Sequence, residues 1–149
     1  MRSQQISQRL AAFERLCRGL GLPLTVQRRA VLECVLQRDD HPTTDQIIEA
    51  VRQRVPGISR TTVYRILEML VEMGMVCRVH HPGAVARFDG KTRRHHHLVC
   101  KKCGKVIDLE SAKLDKLTLP DVQAEGFEID NFSVQFTGIC AACRRTAGR

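Results

Sequence analysis

The sequence predicts an α+β chain in two parts. A helical N-terminal domain closed by a two-stranded hairpin comes first, and a smaller α/β domain follows. Two observations predict this order. Four segments with helical apolar spacing fill the first 74 residues and lead into two short apolar runs. Beyond residue 94 the apolar runs shorten to strand length around two Cys-x-x-Cys pairs. A chain of 149 residues has room for one ordinary domain or two small ones.

The elements follow in order. Ile6, Leu10, Phe13, Cys17 and Leu20 repeat at helical spacing, and Gly19 and Gly21 mark the end of that first helix. Thr25 starts a second helix with Val31, Leu32, Val35 and Leu36 on its buried side, broken by His41-Pro42. Thr43 and Gln46 read as a capping box for a third helix that buries Ile47, Ile48, Val51 and Val55. After the Pro56-Gly57 turn, Ser59 caps a fourth helix with Val63, Ile66, Leu67, Leu70 and Val71 inside, closed by Gly74. Met75–Val79 and Val85–Phe88 form a hairpin around His80-His81-Pro82-Gly83. Helices followed by a hairpin are the order expected of a winged helix, in which the helix before the wing enters the major groove. The pattern loosens into a hinge around Asp89–Arg94. His95–Cys100 and Val106–Leu109 then read as strands, Ser111–Ala124 as a helix interrupted by Leu119-Pro120, and Phe127–Phe136 as a last strand. The expected divisions are residues 1–84, a hinge at 85–94, and 95–149.

Composition removes several classes. The chain is 43% hydrophobic and 27% charged, which supports a packed core and disfavours disorder. No apolar run approaches the ~20 residues that span a bilayer. The first residues, MRSQQISQRLAAFERL, are too polar for a signal peptide, so a cytoplasmic chain is expected. The net charge of +8 suits an acidic partner. All basic residues before Lys91 are Arg, whose planar fork matches phosphates and guanine edges. An Arg-biased genome explains that count equally well.

The seven cysteines fall into two groups. Cys17, Cys34 and Cys77 stand alone and read as small buried hydrophobes. Cys100/Cys103 and Cys140/Cys143 are two chelating pairs with 36 residues between them. Four soft sulfurs select Zn²⁺ or an iron–sulfur cluster. Zn²⁺ is favoured, because a small aromatic-poor domain needs a closed structural site. Redox chemistry at one pair is the rival reading.

His95, His96 and His97 run along one strand, so His95 and His97 face one way and His96 and Cys100 the other. His41, Asp89 and Asp108 complete a set of three imidazoles and two carboxylates with His95 and His97. Such a set suits Fe²⁺, Mn²⁺, Co²⁺ or Zn²⁺, though a merely polar strand is the plain alternative. On the fourth helix, Arg60, Tyr64 and Glu68 stack at i, i+4 beside Thr61 and Arg65. The only Tyr of the chain sits on this polar face, which offers phosphate donors and apolar surface for a thymine methyl.

Taken together, His41-Pro42-Thr43-Thr44, Ile58–Arg65, Arg87-Phe88-Asp89 and His95–Gly104 resemble, in that order, the ferric uptake regulator superfamily, over roughly residues 10–145. The closest likeness is to its peroxide-responsive branch. The resemblance implies a homodimeric, metal-dependent transcriptional regulator, with a winged-helix DNA-binding domain and a small α/β dimerisation domain. It implies structural zinc on Cys100, Cys103, Cys140 and Cys143, and a regulatory Fe²⁺ or Mn²⁺ on His41, Asp89, His95, His97 and Asp108. DNA contacts match Tyr64 and Arg65, with Gln27 and Arg28 on phosphate and Arg60 and Thr61 alongside. The partners implied are a palindromic double-stranded operator and a second copy of the chain. Asp108 stands where iron-uptake regulators usually carry Glu and peroxide regulators Asp. His41 and His95 match the histidines that become 2-oxo-histidine. The chain also departs from the pattern. Phe132 stands where many relatives place a His of a further metal site that His96 and Asp115 would otherwise fit. Pro23 replaces a basic residue, and Thr61 a small Ala. An iron- or zinc-uptake repressor is the alternative within the family. A zinc hydrolase is disfavoured, because no H-E-x-x-H motif is present.

Overall fold

The computed structural model describes residues 3–80 and 85–147. The chain divides into two compact units, Met1–Thr92 and Arg93–Arg149.

The first unit opens with α1 (Ser3–Gly19), α2 (Val26–Leu36), α3 (Thr44–Arg52) and α4 (Arg60–Glu72). Each later helix starts at a side-chain cap. Thr25 accepts from Arg28 N–H, Thr43 and Gln46 form a reciprocal box, and Ser59 accepts from Thr62 N–H. Two helices end alike. Gly21 and Gly74 turn left-handed at φ +64° and +66°, letting the next N–H reach back to Cys17 and Leu70 carbonyls at 2.8 and 2.9 Å. The core runs from Leu10, Phe13 and Cys17 of α1 through α2, Ile47, Ile48 and Val51 of α3, and Val63, Leu67 and Leu70 of α4 to Phe88. β1 (Cys77–Val79) and β2 (Arg87–Asp89) pair antiparallel, with Cys77 opposite Asp89. The hairpin turn at 81–84 lies outside the described residues.

The second unit is a three-stranded sheet in the order β4-β3-β5. β3 (His96–Cys100) runs antiparallel to β4 (Val106–Leu109) and parallel to β5 (Gln135–Gly138). Between β4 and β5 lie α5 (Ala112–Asp115) and a 3₁₀ turn at Gln123–Glu125; α6 (Ala141–Ala147) ends the described chain. Among its described residues only Val99, Cys100 and Val106 are buried hydrophobics. So small an apolar interior leaves the unit dependent on a staple or a partner.

Several expectations need correction. α1 ends before Leu20, which is 59% exposed. α3 ends at Arg52, and Val55 packs half-buried from the next turn, its N–H on Val51 O. Asp89, expected in the hinge, is the last residue of β2. The helix expected over Ser111–Ala124 is one turn capped by Ser111. Pro120 lacks an N–H and pushes Leu119 out of the helical region. The strand expected over Phe127–Phe136 shrinks to Gln135–Gly138. Alternation reports a repeating face, but a strand also needs a neighbour to bond, and among the described residues β3 supplies one only from Val134 onward. Of the lone cysteines, Cys17 and Cys34 are buried, while Cys77 is half-exposed.

Candidate metal centres and nucleic-acid face

Cys100 closes β3, the turn that places Cys103 beside it is closed by Gly104 N–H donating to Cys100 O at 2.8 Å, and Gly104 at φ +72° then sends the chain back toward β4. Cys140 precedes α6 and Cys143 lies in its first turn. The four sulfurs lie within 4.8 Å of one another, with Cys103 Sγ and Cys140 Sγ 3.7 Å apart. Zn–S bonds of about 2.3 Å at tetrahedral angles place sulfurs ~3.8 Å apart, so the quartet has the dimensions of a closed zinc site. Its electrostatics agree. The backbone N–H groups of Cys140 and Cys103 hold the Cys100 thiol down at about 6, and the Cys143 N–H lowers Cys140. Cys143, shared with Cys103 and Cys140, is pushed up to about 12. Thiols that crowd like this cannot all ionise without a cation among them.

The first unit offers His41 and Asp89. His41 Nε2 lies 3.5 Å from Asp89 Oδ2, and both residues are buried. His41 sits at φ +52°, the only non-glycine with positive φ among the described residues. That conformation costs on the order of 1–2 kcal/mol. It is held by Arg87 Nη1 donating to His41 O at 2.9 Å and Phe88 N–H donating to Pro42 O at 3.0 Å. Asp89 Oδ1 accepts from Lys91 N–H at 2.8 Å.

The second unit offers His95, His97 and Asp108. His97 and Asp108 are directly opposed across β3 and β4. The His95 and His97 rings meet edge-on at 4.6 Å, and His95 Nε2 lies 3.7 Å from Asp108 Oδ1. His95 Nδ1 is 2.8 Å from Arg93 O. A carbonyl only accepts, so Nδ1 carries the proton and Nε2 keeps its lone pair, the tautomer of a metal ligand.

On α4, Arg60, Thr61, Tyr64, Arg65 and Glu68 are all exposed, Tyr64 by 45%. Arg60 Nη2 bonds Asp45 Oδ1 of α3 at 2.5 Å, and Arg78 of β1 pairs with Glu68. Gln27 and Arg28 lie in the first turn of α2, half-buried, with Arg28 Nη1 donating to Pro23 O at 2.5 Å. Asp45 and Arg78, which brace this face, escaped sequence reasoning; the isolated positions of two common charges carry no signal.

The model of the ferric uptake regulator family matches residues 19–137. The chain is 33% identical over 125 residues to the peroxide operon regulator of Bacillus subtilis, covering 84% of this chain and 86% of that one. It is similar to the Campylobacter jejuni peroxide stress regulator at 28% identity and TM-score 0.65, covering 96% of this chain and 100% of that one. It also shares the fold of the Helicobacter pylori ferric uptake regulator, described with three functional metal-binding sites, at 20% identity and TM-score 0.77 over 93% of each chain.

Proposed function

The chain belongs to the ferric uptake regulator family, and from that premise we propose that it is a metal-dependent, DNA-binding repressor that senses peroxide. The observation that carries the metal reading is the pairing of His95, in its ligand tautomer, with Asp108. Zinc on Cys100, Cys103, Cys140 and Cys143 has the structural role. His41 and Asp89 of the first unit, and His95, His97 and Asp108 of the second, close on one exchangeable Fe²⁺ or Mn²⁺. Three imidazoles and two carboxylates are the donor set such borderline-to-hard ions take.

Closing that site joins the two units and biases the dimer toward one separation of its α4 helices. Separations near ~34–36 Å or a multiple fit successive major grooves. Tyr64, Arg65, Arg60 and Thr61 read the groove, and Gln27 and Arg28 hold phosphate. Only a difference in metal affinity between the two arrangements drives this switch.

Fe²⁺ held by these residues would supply the electron that opens the O–O bond of H₂O₂ and would recover it from the ring being oxidised, so that H₂O₂ is the net two-electron oxidant. The protein's part is to hold the His41 and His95 rings at the oxidation site. One ring C–H takes up one oxygen, giving 2-oxo-histidine and one water per H₂O₂, and the oxidised ring no longer holds the metal. The event is stoichiometric, without turnover. Asp108 in place of Glu supports this reading over a repressor that responds to metal level alone.

A second copy of the chain completes the molecule. Ile107, Leu98 and Phe136 stand side by side across β4, β3 and β5 and are 38–47% exposed, an apolar row that a partner sheet would cover. No helix among the described residues is long and apolar enough to cross a membrane.

The test titrates DNA binding of the zinc-loaded protein with Mn²⁺ and with anaerobic Fe²⁺, then adds H₂O₂. Loss of only the Fe²⁺-supported complex, with +16 Da on His41 or His95, is expected. An Fe²⁺ complex that survives peroxide assigns the protein to metal-level regulation.

A further inference from the structure

The third histidine of the run behaves unlike its neighbours. His96 is wholly buried, and its Nδ1 accepts the N–H of Val134 at 3.0 Å. An N–H donor fixes the roles. Nδ1 holds the lone pair, so the neutral ring carries its proton on Nε2, which lies 3.3 Å from Asp115 Oδ1. This is the reverse of His95, where the carbonyl of Arg93 puts the proton on Nδ1. Ligation of a metal through Nε2 of His96 would require stripping that proton or breaking the Val134 bond inside a buried site.

The surroundings reinforce this. The Phe132 ring lies 6.3 Å from the His96 ring and brings no donor. Arg94 places its guanidinium 4.7 Å over the Phe132 ring, and its Nε donates to Asn131 Oδ1 at 3.2 Å. That oxygen also receives the Phe132 N–H at 2.9 Å. A fixed positive charge and an aromatic ring thus occupy the neighbourhood a further cation would need.

We propose that His96, Asp115, Arg94 and Phe132 form a metal-free latch tying β3 to the segment before β5, so that the further metal site of the family is absent from this chain. The latch does by the Val134–His96 hydrogen bond, the 3.3 Å electrostatic contact of His96 with Asp115 and a cation–π contact what a bound ion would do by ligation. A total of two metals per chain rests on the exchangeable site proposed above; the latch does not.

The experiment compares the wild-type protein with Asp115→Asn, each loaded to saturation with Zn²⁺ and gel-filtered. Metal per chain is read by mass spectrometry, and the His96 ring nitrogens by NMR before and after loading. Equal metal in the two proteins is expected, with His96 keeping an unprotonated Nδ1 and a protonated Nε2 throughout. One equivalent lost in Asp115→Asn, or a His96 Nε2 that loses its proton on loading, overturns the latch. One zinc in both proteins, with His96 unchanged, supports the latch and counts against the exchangeable site instead.

Discussion

Replacing Cys140 with Ser should unfold the second unit and leave the first intact. In residues 93–147 the apolar side chains that are buried, apart from Cys100 itself, are Val99 and Val106. Full burial of a valine contributes about 1.5–3 kcal/mol, so the pair contributes about 3–6 kcal/mol. A structural zinc contributes about 10–16 kcal/mol at neutral pH, roughly twice as much or more. The first unit has no such dependence, because Phe13, Leu32, Leu36, Leu67 and Leu70 are wholly buried in one continuous cluster. Hydrogen exchange read by mass spectrometry separates the two. Peptides from β3, β4 and β5 should exchange at unfolded rates in Cys140→Ser, while α2 and α4 keep their protection. Protection of β3 in a variant shown to hold no zinc would refute the reasoning, and the stability of the unit would then have to come from the proposed packing of a second copy.

Further outcomes follow from the same geometry. Cys100 is held at about 6 against an ordinary value of 9.0 by the N–H groups of Cys140 and Cys103. Without metal, a lowered thiol stabilises fully above pH 9 and loses that contribution as pH falls through about 6, and zinc competes for the same thiolates, so the second unit should melt more readily as pH falls toward about 6 and the first should not. His41→Ala should keep zinc and dimer but lower the affinity for exchangeable metal by at least the 10–100-fold typical of losing an outer partner of a ligand, read by Mn²⁺ titration. An unchanged operator affinity at saturating Mn²⁺ in that variant sinks the clamp between the units. Arg65→Ala should cost about 1–3 kcal/mol of operator binding if it reads a base, with relaxed discrimination at one position; a uniform loss and a shallower salt slope would move it to phosphate. Leu98→Glu puts a charge in the middle of the exposed apolar row, and sedimentation should show a dimer for the wild type and a monomer for the variant.

The helices were legible because burial in the first unit is one-sided and regular, and periodicity reports that directly. The cysteine quartet was legible because chelation demands short, fixed spacing, and the sulfurs do gather. Positions defined by long-range bonds were not legible. Nothing in the local sequence says that Arg87 will hold the carbonyl of His41 in a left-handed turn. Nor does it say that Val134 will choose the tautomer of a histidine 38 positions away. The helix over Ser111–Ala124 and the strand over Phe127–Phe136 were overdrawn for a related reason. A pattern states what a segment could bury, and the second unit has little interior in which to bury it.

β3 and the residue before it, His95, concentrate these roles in six consecutive residues. Cys100 faces the zinc quartet, Leu98 stands in the apolar row, His96 closes the latch, and His95 and His97 belong to the opposite set. Such a segment can drift by substitution at one place and adjust, but it cannot change length. Because side chains alternate with period two, a one-residue insertion or deletion before Cys100 would exchange the faces of every residue upstream of it at once. Inherited variation in this family member should therefore collect in the loops after β4, where Leu117–Phe127 answers to no ladder, and gaps should be missing from the six residues between Arg94 and Lys101.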